Sequence, residues 1–175
     1  MHTHHHKQEH QINTIGRLKI LNSRESKDII EKLEEQYGYI VDKSAIDYIF
    51  LMNKDNRVYI VNRMIEQLPF DELKIDAIGL YFGEFYKESL RLSIEGAQFI
   101  GHQSTRNIVD IDAEQMTAWV QGKDLPFEDC GKQFVIVRHT NKKTHQTDIL
   151  GCGKYKDGVL MNYVSKSRRL IVVNQ

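Results

Sequence analysis

The sequence predicts an α+β protein in two parts, an N-terminal α+β domain followed by a C-terminal unit made almost entirely of strands. Three observations carry that expectation. Residues 22–38 show one amphipathic helical pattern closed by a glycine, and segments rich in β-branched and aromatic residues follow it. The stretch Asn107–Phe127, NIVDIDAEQMTAWVQGKDLPF, reads as strand, short capped helix, glycine turn and second strand. Everything downstream of it is strand-like. With 175 residues and 41% apolar content, the chain can form one domain or two small ones, each burying a modest core. The expected divisions are a disordered His-rich leader or tag at 1–11, the α+β domain at 12–100, a linker at 101–106 and the strand-rich unit at 107–175.

In chain order, residues 1–10 hold five of the eight histidines and no apolar residue beyond Met1, so they are set aside from fold reasoning. Leu18–Leu21 is a candidate strand. Asn22 with Glu25 three residues on is a helix start, and Ile29, Ile30, Leu33 and Tyr37 recur at near-helical spacing until Gly38. The polar side of that helix (Lys27, Asp28, Glu31, Glu34, Glu35) is mainly acidic and reads as a solvated face. Tyr48–Met52 and Val58–Val61 form a hairpin across the Asn53–Asn56 turn. A short helix over Met64–Leu68 ends at Pro69. Ile75–Phe85 is an apolar strand in which Gly79 and Gly83 mark bulges or close backbone approach, Leu90–Ile94 alternates cleanly, and Gly96–Ile100 is a last helical turn.

In the Asn107–Phe127 stretch, Ile108, Val109 and Ile111 make the strand, and Asp112 with Gln115 is a capping box. Ala113, Met116, Thr117 and Val120 share a helix face with Trp119 beside it, and Gly122 stands where a left-handed cap would stop the helix. The segment Trp-Val-Gln-Gly-Lys-Asp-Leu at 119–125 resembles the helix-to-strand signature of PUA domains, small RNA-binding pseudobarrels. Gly131–Val137 is similar to the family's central strand, Ile149–Lys154 to its Gly-rich strand, and Val159–Val173 to its two closing strands with Ser165–Arg169 between them. The resemblance covers roughly residues 101–175. Residues 74–100 further resemble the end of the N-terminal domain in small two-domain PUA proteins of ribosome biogenesis and their archaeal relatives.

Charge is unevenly spread. Residues 130–175 carry nine Lys/Arg against two acids, a balance of +7, and since the whole chain sums to zero, residues 1–129 carry −7. A basic end is the footprint of a phosphate-binding surface, and equally that of an ordinary solvated strand domain. No apolar run approaches the span of a bilayer and no signal-peptide core is present, so the expectation is a cytosolic, non-membrane protein. Cys130 and Cys152 fit that compartment as reduced thiols, with their pairing left open by the sequence.

Signals for catalysis are weak. Cys130, His139, His145 and Cys152 are separated by eight, five and six residues, spacings that match no paired zinc-ligand signature. Asp110, Asp112 and Glu114 cluster, but Asp112 is accounted for as a helix cap. No phosphate-binding glycine loop, dinucleotide fingerprint or nucleophile elbow is present. The expectation is therefore no metal, no cofactor and no enzyme activity.

Binding has more support. In PUA domains RNA lies against the helix-to-second-strand turn and the last strand, so the resemblance assigns Gly122, Lys123, Asp124 and Leu125 and also Lys166, Arg168 and Arg169 to an RNA surface. Gly122 would let backbone approach a phosphate that Lys123 neutralises. Arg168 and Arg169, if in a strand, project to opposite faces, so only one would reach RNA; Lys154 and Lys156 share a face and add candidate phosphate contacts. Asp124 has a plainer role open to it, accepting backbone N–H groups within its turn, and Trp119 reads as a core residue. Lys123, and Phe127 after Pro126, depart from the family's usual small residue and Pro-Gly. The reading that follows is a non-enzymatic binder of structured rRNA or tRNA, an accessory factor in ribosome biogenesis or RNA modification. The alternative is an adaptor whose acidic N-terminal domain docks on an RNA-processing enzyme or assembly factor.

Overall fold

A computed structural model of the chain describes residues 14–42, 46–64 and 78–170. The expected helix over Met64–Leu68, the start of the Ile75–Phe85 strand and the end of the last closing strand fall mainly outside those residues.

The N-terminal half is a six-stranded antiparallel sheet whose strands lie in chain order: β1 (Thr14–Ile15), β2 (Leu18–Ile20), β3 (Tyr48–Met52), β4 (Arg57–Asn62), β5 (Leu80–Tyr86) and β6 (Ser89–Leu92). The β3–β4 hairpin is set by Asn53, whose Oδ1 accepts from the backbone N–H of Asp55 and Arg57 at 3.0 and 2.9 Å, and by Asn56 at φ 60°. Gly83 sits at the register shift between β4 and β5, where a Cβ would come within 2.5 Å of the Arg91 carbonyl. Helix α1 (Ser23–Tyr37) starts at the Asn22–Glu25 capping box and ends at Gly38, φ +62°. It buries Ile29, Leu33, Gln36 and Tyr37 and leaves Asp28, Glu31, Glu34 and Glu35 exposed. A second helix, α2 (Ile94–Ile100), is longer than the single turn expected and is capped by the Ser93 side chain.

The C-terminal half is a five-stranded sheet in the order β7-β9-β10-β11-β8, built from β7 (Ile108–Asp110), β8 (Leu125–Pro126), β9 (Phe134–Thr140), β10 (Thr147–Lys156) and β11 (Val159–Asn162). Only β7 and β9 run parallel. The sheet curls into a half-barrel. Helix α3 (Ala113–Val120) leaves one edge strand, β7, and delivers the chain to the opposite edge strand, β8, which is how so short a helix bridges the opening. Its capping box is Asp112–Gln115 as the spacing predicts, with both reciprocal bonds made. The buried face differs from the expected one. Ala113 and Thr117 are exposed, and the face is centred on Trp119, which is fully buried with its indole N–H donating to the Leu150 carbonyl at 3.1 Å.

Strand β9 explains how the two halves meet. Phe134, Val135, Ile136 and Val137 are all buried, the continuous apolar run of a strand covered on both faces. Val135 and Val137 join Trp119, Leu125, Leu160 and Val164 in one cluster. Phe134 and Ile136 turn the other way, into a cluster with Tyr37, Phe82, Leu90 and Ile100 of the N-terminal half and with Ile149 and Cys152 of β10. Buried Gln36 ties this junction: its amide N–H donates to the carbonyl of Leu90 at 3.1 Å and of Phe134 at 3.5 Å, and its oxygen accepts from Leu90 N–H at 2.9 Å. Both cysteines are free thiols, packed in different clusters.

The segment expected as a linker, 101–106, is fixed to the end of α1. A helix leaves its last four carbonyls without partners. Here Gly38 N–H serves Glu34, Arg106 serves Glu35, Asn107 serves Gln36, and the N–H groups of Thr105 and Arg106 serve Tyr37. No helix among the described residues is long and apolar enough to cross a membrane.

Candidate nucleic-acid interface

Two segments far apart in sequence form one ledge. The first is the turn from Gln121 to Leu125 between α3 and β8; the second runs from Asn162 at the end of β11 to Leu170, through a 3₁₀ turn at Lys166–Arg168. Asn162 binds them together. Its backbone N–H donates to the Asp124 carboxylate at 2.7 Å, its side-chain amide donates to the Trp119 carbonyl at 2.7 Å and the Lys123 carbonyl at 3.2 Å, and its oxygen accepts from Val164 N–H at 2.8 Å. Leu170 N–H closes the far end on the Val120 carbonyl at 2.8 Å. Two stretches that pair in the sheet only at Leu125 and Asn162 are thereby tied to each other along their length.

The expected site residues divide across this geometry. Lys123 and Lys166 are exposed on the ledge, and neither makes an ion pair among the described residues. Arg169 lies across the turn and donates from Nε to the Val164 carbonyl at 3.1 Å. Gly122 has φ +85°, and a Cβ there would stand 2.2 Å from Arg169 Cδ. The missing side chain makes room for the arginine stem, so Gly122 is covered by Arg169 and does not lie open to a phosphate. Asp124 takes its plainer role, accepting the Asn162 N–H. Leu125 is 4% exposed and belongs to the core.

Arg168 and Arg169 do not lie in a strand. The connection expected between the closing strands is a 3₁₀ turn, so the two side chains diverge by turn geometry and not by the strand alternation considered for them: Arg169 folds over Gly122 while Arg168 ion-pairs with Glu95 of α2. Lys154 and Lys156 share a face of β10, but the wrong one for the ledge. The ledge side of β10 is marked by Gly153, where a Cβ would stand 2.9 Å from the Trp119 ring. Lys154 points to the opposite side, its ammonium 4.8 Å from the Phe134 ring centroid and 5.9 Å from that of Tyr86. What the sequence missed is Asn162, whose role depends on a contact 38 residues away that no local pattern signals.

Comparison with known proteins agrees with this architecture. Residues 106–170 match the family model described as the Methyltransferase RsmF PUA domain, a span that covers most of the C-terminal half. Among curated proteins, the chain is similar to the ribosomal RNA small subunit methyltransferase F of Vibrio vulnificus (strain YJ016), 24% identical over 150 residues, covering 81% of this chain and 30% of the relative. The protein of the same name from Aeromonas salmonicida (strain A449) is 24% identical over 136 residues, 77% of this chain and 26% of the relative. That from Vibrio cholerae serotype O1 (strain M66-2) is 25% identical over 133 residues, 75% and 26% respectively. The chain thus spans about 30% or less of the length of these relatives. The alignments run well beyond the span of the family model, so the N-terminal half shares in the similarity.

Proposed function

We propose that the protein is a non-enzymatic RNA-binding protein that grips structured ribosomal RNA, or transfer RNA, through the Asn162-braced ledge, as an accessory factor in ribosomal RNA modification. The observation that carries the reading is the pair of unpaired, exposed cations Lys123 and Lys166 on the ledge, within a half that matches an RsmF-type PUA domain. The relatives' name links that domain to ribosomal RNA and its methylation. The absence of any cofactor motif from the sequence supports a binding role for this chain, and Arg169 is the third cation placed to meet a phosphate.

The test is retention of total cellular RNA over a range of salt concentrations, beside a variant with Lys123, Lys166 and Arg169 changed to Ala. Three neutralised phosphates give a log–log salt slope of about −2 to −3. The expected result is that slope for wild type and at least a roughly tenfold loss for the variant. A slope near zero, or equal retention by both proteins, removes the RNA reading and leaves docking of the acidic N-terminal half on a protein partner as the role to pursue.

A further inference from the structure

Beside the ledge lies a cleft of about 420 Å³, walled on one side by Tyr81 and Arg91 of the N-terminal sheet and on the other by Tyr163, Ser165, Ser167 and Arg168. Its electrostatics differ from those of the ledge. Arg91 is bound to Glu84 at 2.6 Å, and its guanidinium carbon stands 5.4 Å from the centroid of the Tyr163 ring; Arg168 is paired with Glu95, which also lines the cleft. Each guanidinium in the cleft is therefore matched by a carboxylate. A phosphate entering would meet the Glu95 carboxylate in the wall and two guanidiniums already engaged by carboxylates, and would gain little. A neutral, planar, hydrogen-bonding group would find flat walls in the two tyrosine rings and the Arg91 guanidinium, with serine hydroxyls and the Glu95 carboxylate for its edge.

The size agrees. Small-molecule sites begin at about 300 Å³, so the cleft takes a base with part of its ribose and excludes a duplex. The location agrees as well. Lys166, exposed on the ledge, and Arg168, in the cleft wall, belong to one 3₁₀ turn. The exposed cation and the cleft wall are thus two residues apart on one turn.

We propose that this cleft receives one unpaired base of the RNA whose phosphates lie on the ledge, so that the N-terminal half contributes to recognition through Tyr81 and Arg91. The assignment rests on the RNA-binding reading above. It divides the labour: the ledge supplies salt-sensitive affinity without regard to sequence, and the cleft supplies a preference for RNA with a nucleotide free to leave the stack.

The experiment compares binding of a short RNA duplex with binding of the same duplex carrying one bulged nucleotide, using fluorescence anisotropy at fixed salt. Base–aromatic stacking leads us to expect roughly tenfold tighter binding of the bulged RNA. Ser165→Trp, which fills the cleft from an exposed position, is expected to bring the ratio to near one, and Arg91→Gln to reduce it, both with the melting temperature followed as a control for folding. Salt-dependent binding of both RNAs with a wild-type ratio near one overturns the cleft assignment and leaves the ledge reading standing. A ratio that persists in a folded Ser165→Trp protein overturns it too. Binding of neither RNA overturns both readings together.

Discussion

The two faces of the C-terminal sheet are equally dry but are closed by different parts of the chain. On the helix side, Val135 and Val137 are covered by Trp119, Leu125, Leu160 and Val164, all from the C-terminal half itself, and this side carries the ledge. On the other side, Phe134, Ile136 and Cys152 are covered by Tyr37, Leu90 and Ile100, all from the N-terminal half. The first face is closed mainly by the C-terminal half, with Ile94 of α2 packed at its margin; the second needs residues of both halves. The difference teaches that a match to a family model over residues 106–170 marks a unit of similarity, whereas the buried cluster on the second face extends beyond it.

The sharpest way to break that comparison is to express residues 106–170 alone. Phe134, Ile136, Ile149 and Cys152 would then lose their cover. At roughly 1.5–3 kcal/mol for each large apolar side chain, the loss is comparable with the whole stability of a small domain, about 5–15 kcal/mol. The fragment is expected to aggregate or to show no cooperative calorimetric transition, whereas the full chain melts as one unit. A monomeric fragment with its own sharp transition would show that the helix-side cluster suffices.

The same contrast explains what the sequence revealed. Features with a local cause were legible: the Asn22–Glu25 and Asp112–Gln115 boxes, Gly38 and Gly122 at helix ends, and the Asn53–Asn56 turn all depend on residues within a few positions of each other. The run Phe134–Val137 was legible as a strand, but its second buried face was not, because nothing near it in sequence states what covers Phe134. Gln36 shows the limit well. It occupies a core position of α1 for the sake of bonds to Leu90 and Phe134, 54 and 98 residues away; helical spacing from Ile29 and Leu33 puts it on the buried face, but its polar side chain names no partner there. The site suffered in the same way. Lys123 and Lys166 were singled out because the family resemblance points to them, and the structure shows them exposed. Lys154 was assigned to the same surface on strand alternation alone, which fixes which residues share a face but not which face the helix occupies.

A smaller effect should follow from cutting the braces on the helix side. Asn162→Ala removes three side-chain hydrogen bonds, taking from the Val164 N–H and the Lys123 carbonyl the partner they have in Asn162, while the Trp119 carbonyl keeps the Gly122 N–H. The expected loss is about 1–3 kcal/mol in chemical denaturation. Asn162→Asp should cost more, since a carboxylate oxygen would replace the amide facing two carbonyls. RNA affinity should fall in both at unchanged salt slope, because the cations remain and only their mutual placement loosens; a changed slope would mean that the ledge does not hold them.

The mildest test titrates the other face. Burial pushes the Cys152 thiol up to about 12, whereas in an unfolded chain it would ionise near about 8.5. The sign follows directly. Below about pH 8.5 both states hold the proton and stability does not depend on this group; above it the unfolded state releases the proton while the folded state keeps it, so stability falls by up to about 1.4 kcal/mol per pH unit as pH rises toward the folded value. Tyr37, in the same cluster, is raised well above its ordinary value by the same burial and adds a second proton to the slope above about pH 10. Denaturation curves at about pH 8 and pH 10 should therefore differ by about 1–2 kcal/mol in wild type, with most of the difference absent in Cys152→Ala. Alkylation offers a check that needs no unfolding: half-buried Cys130 on the helix side should react in the native protein while Cys152 stays protected. Equal rates would mean that the junction between the halves opens as readily as the surface, and that the second face is not the closed interior on which the C-terminal half depends.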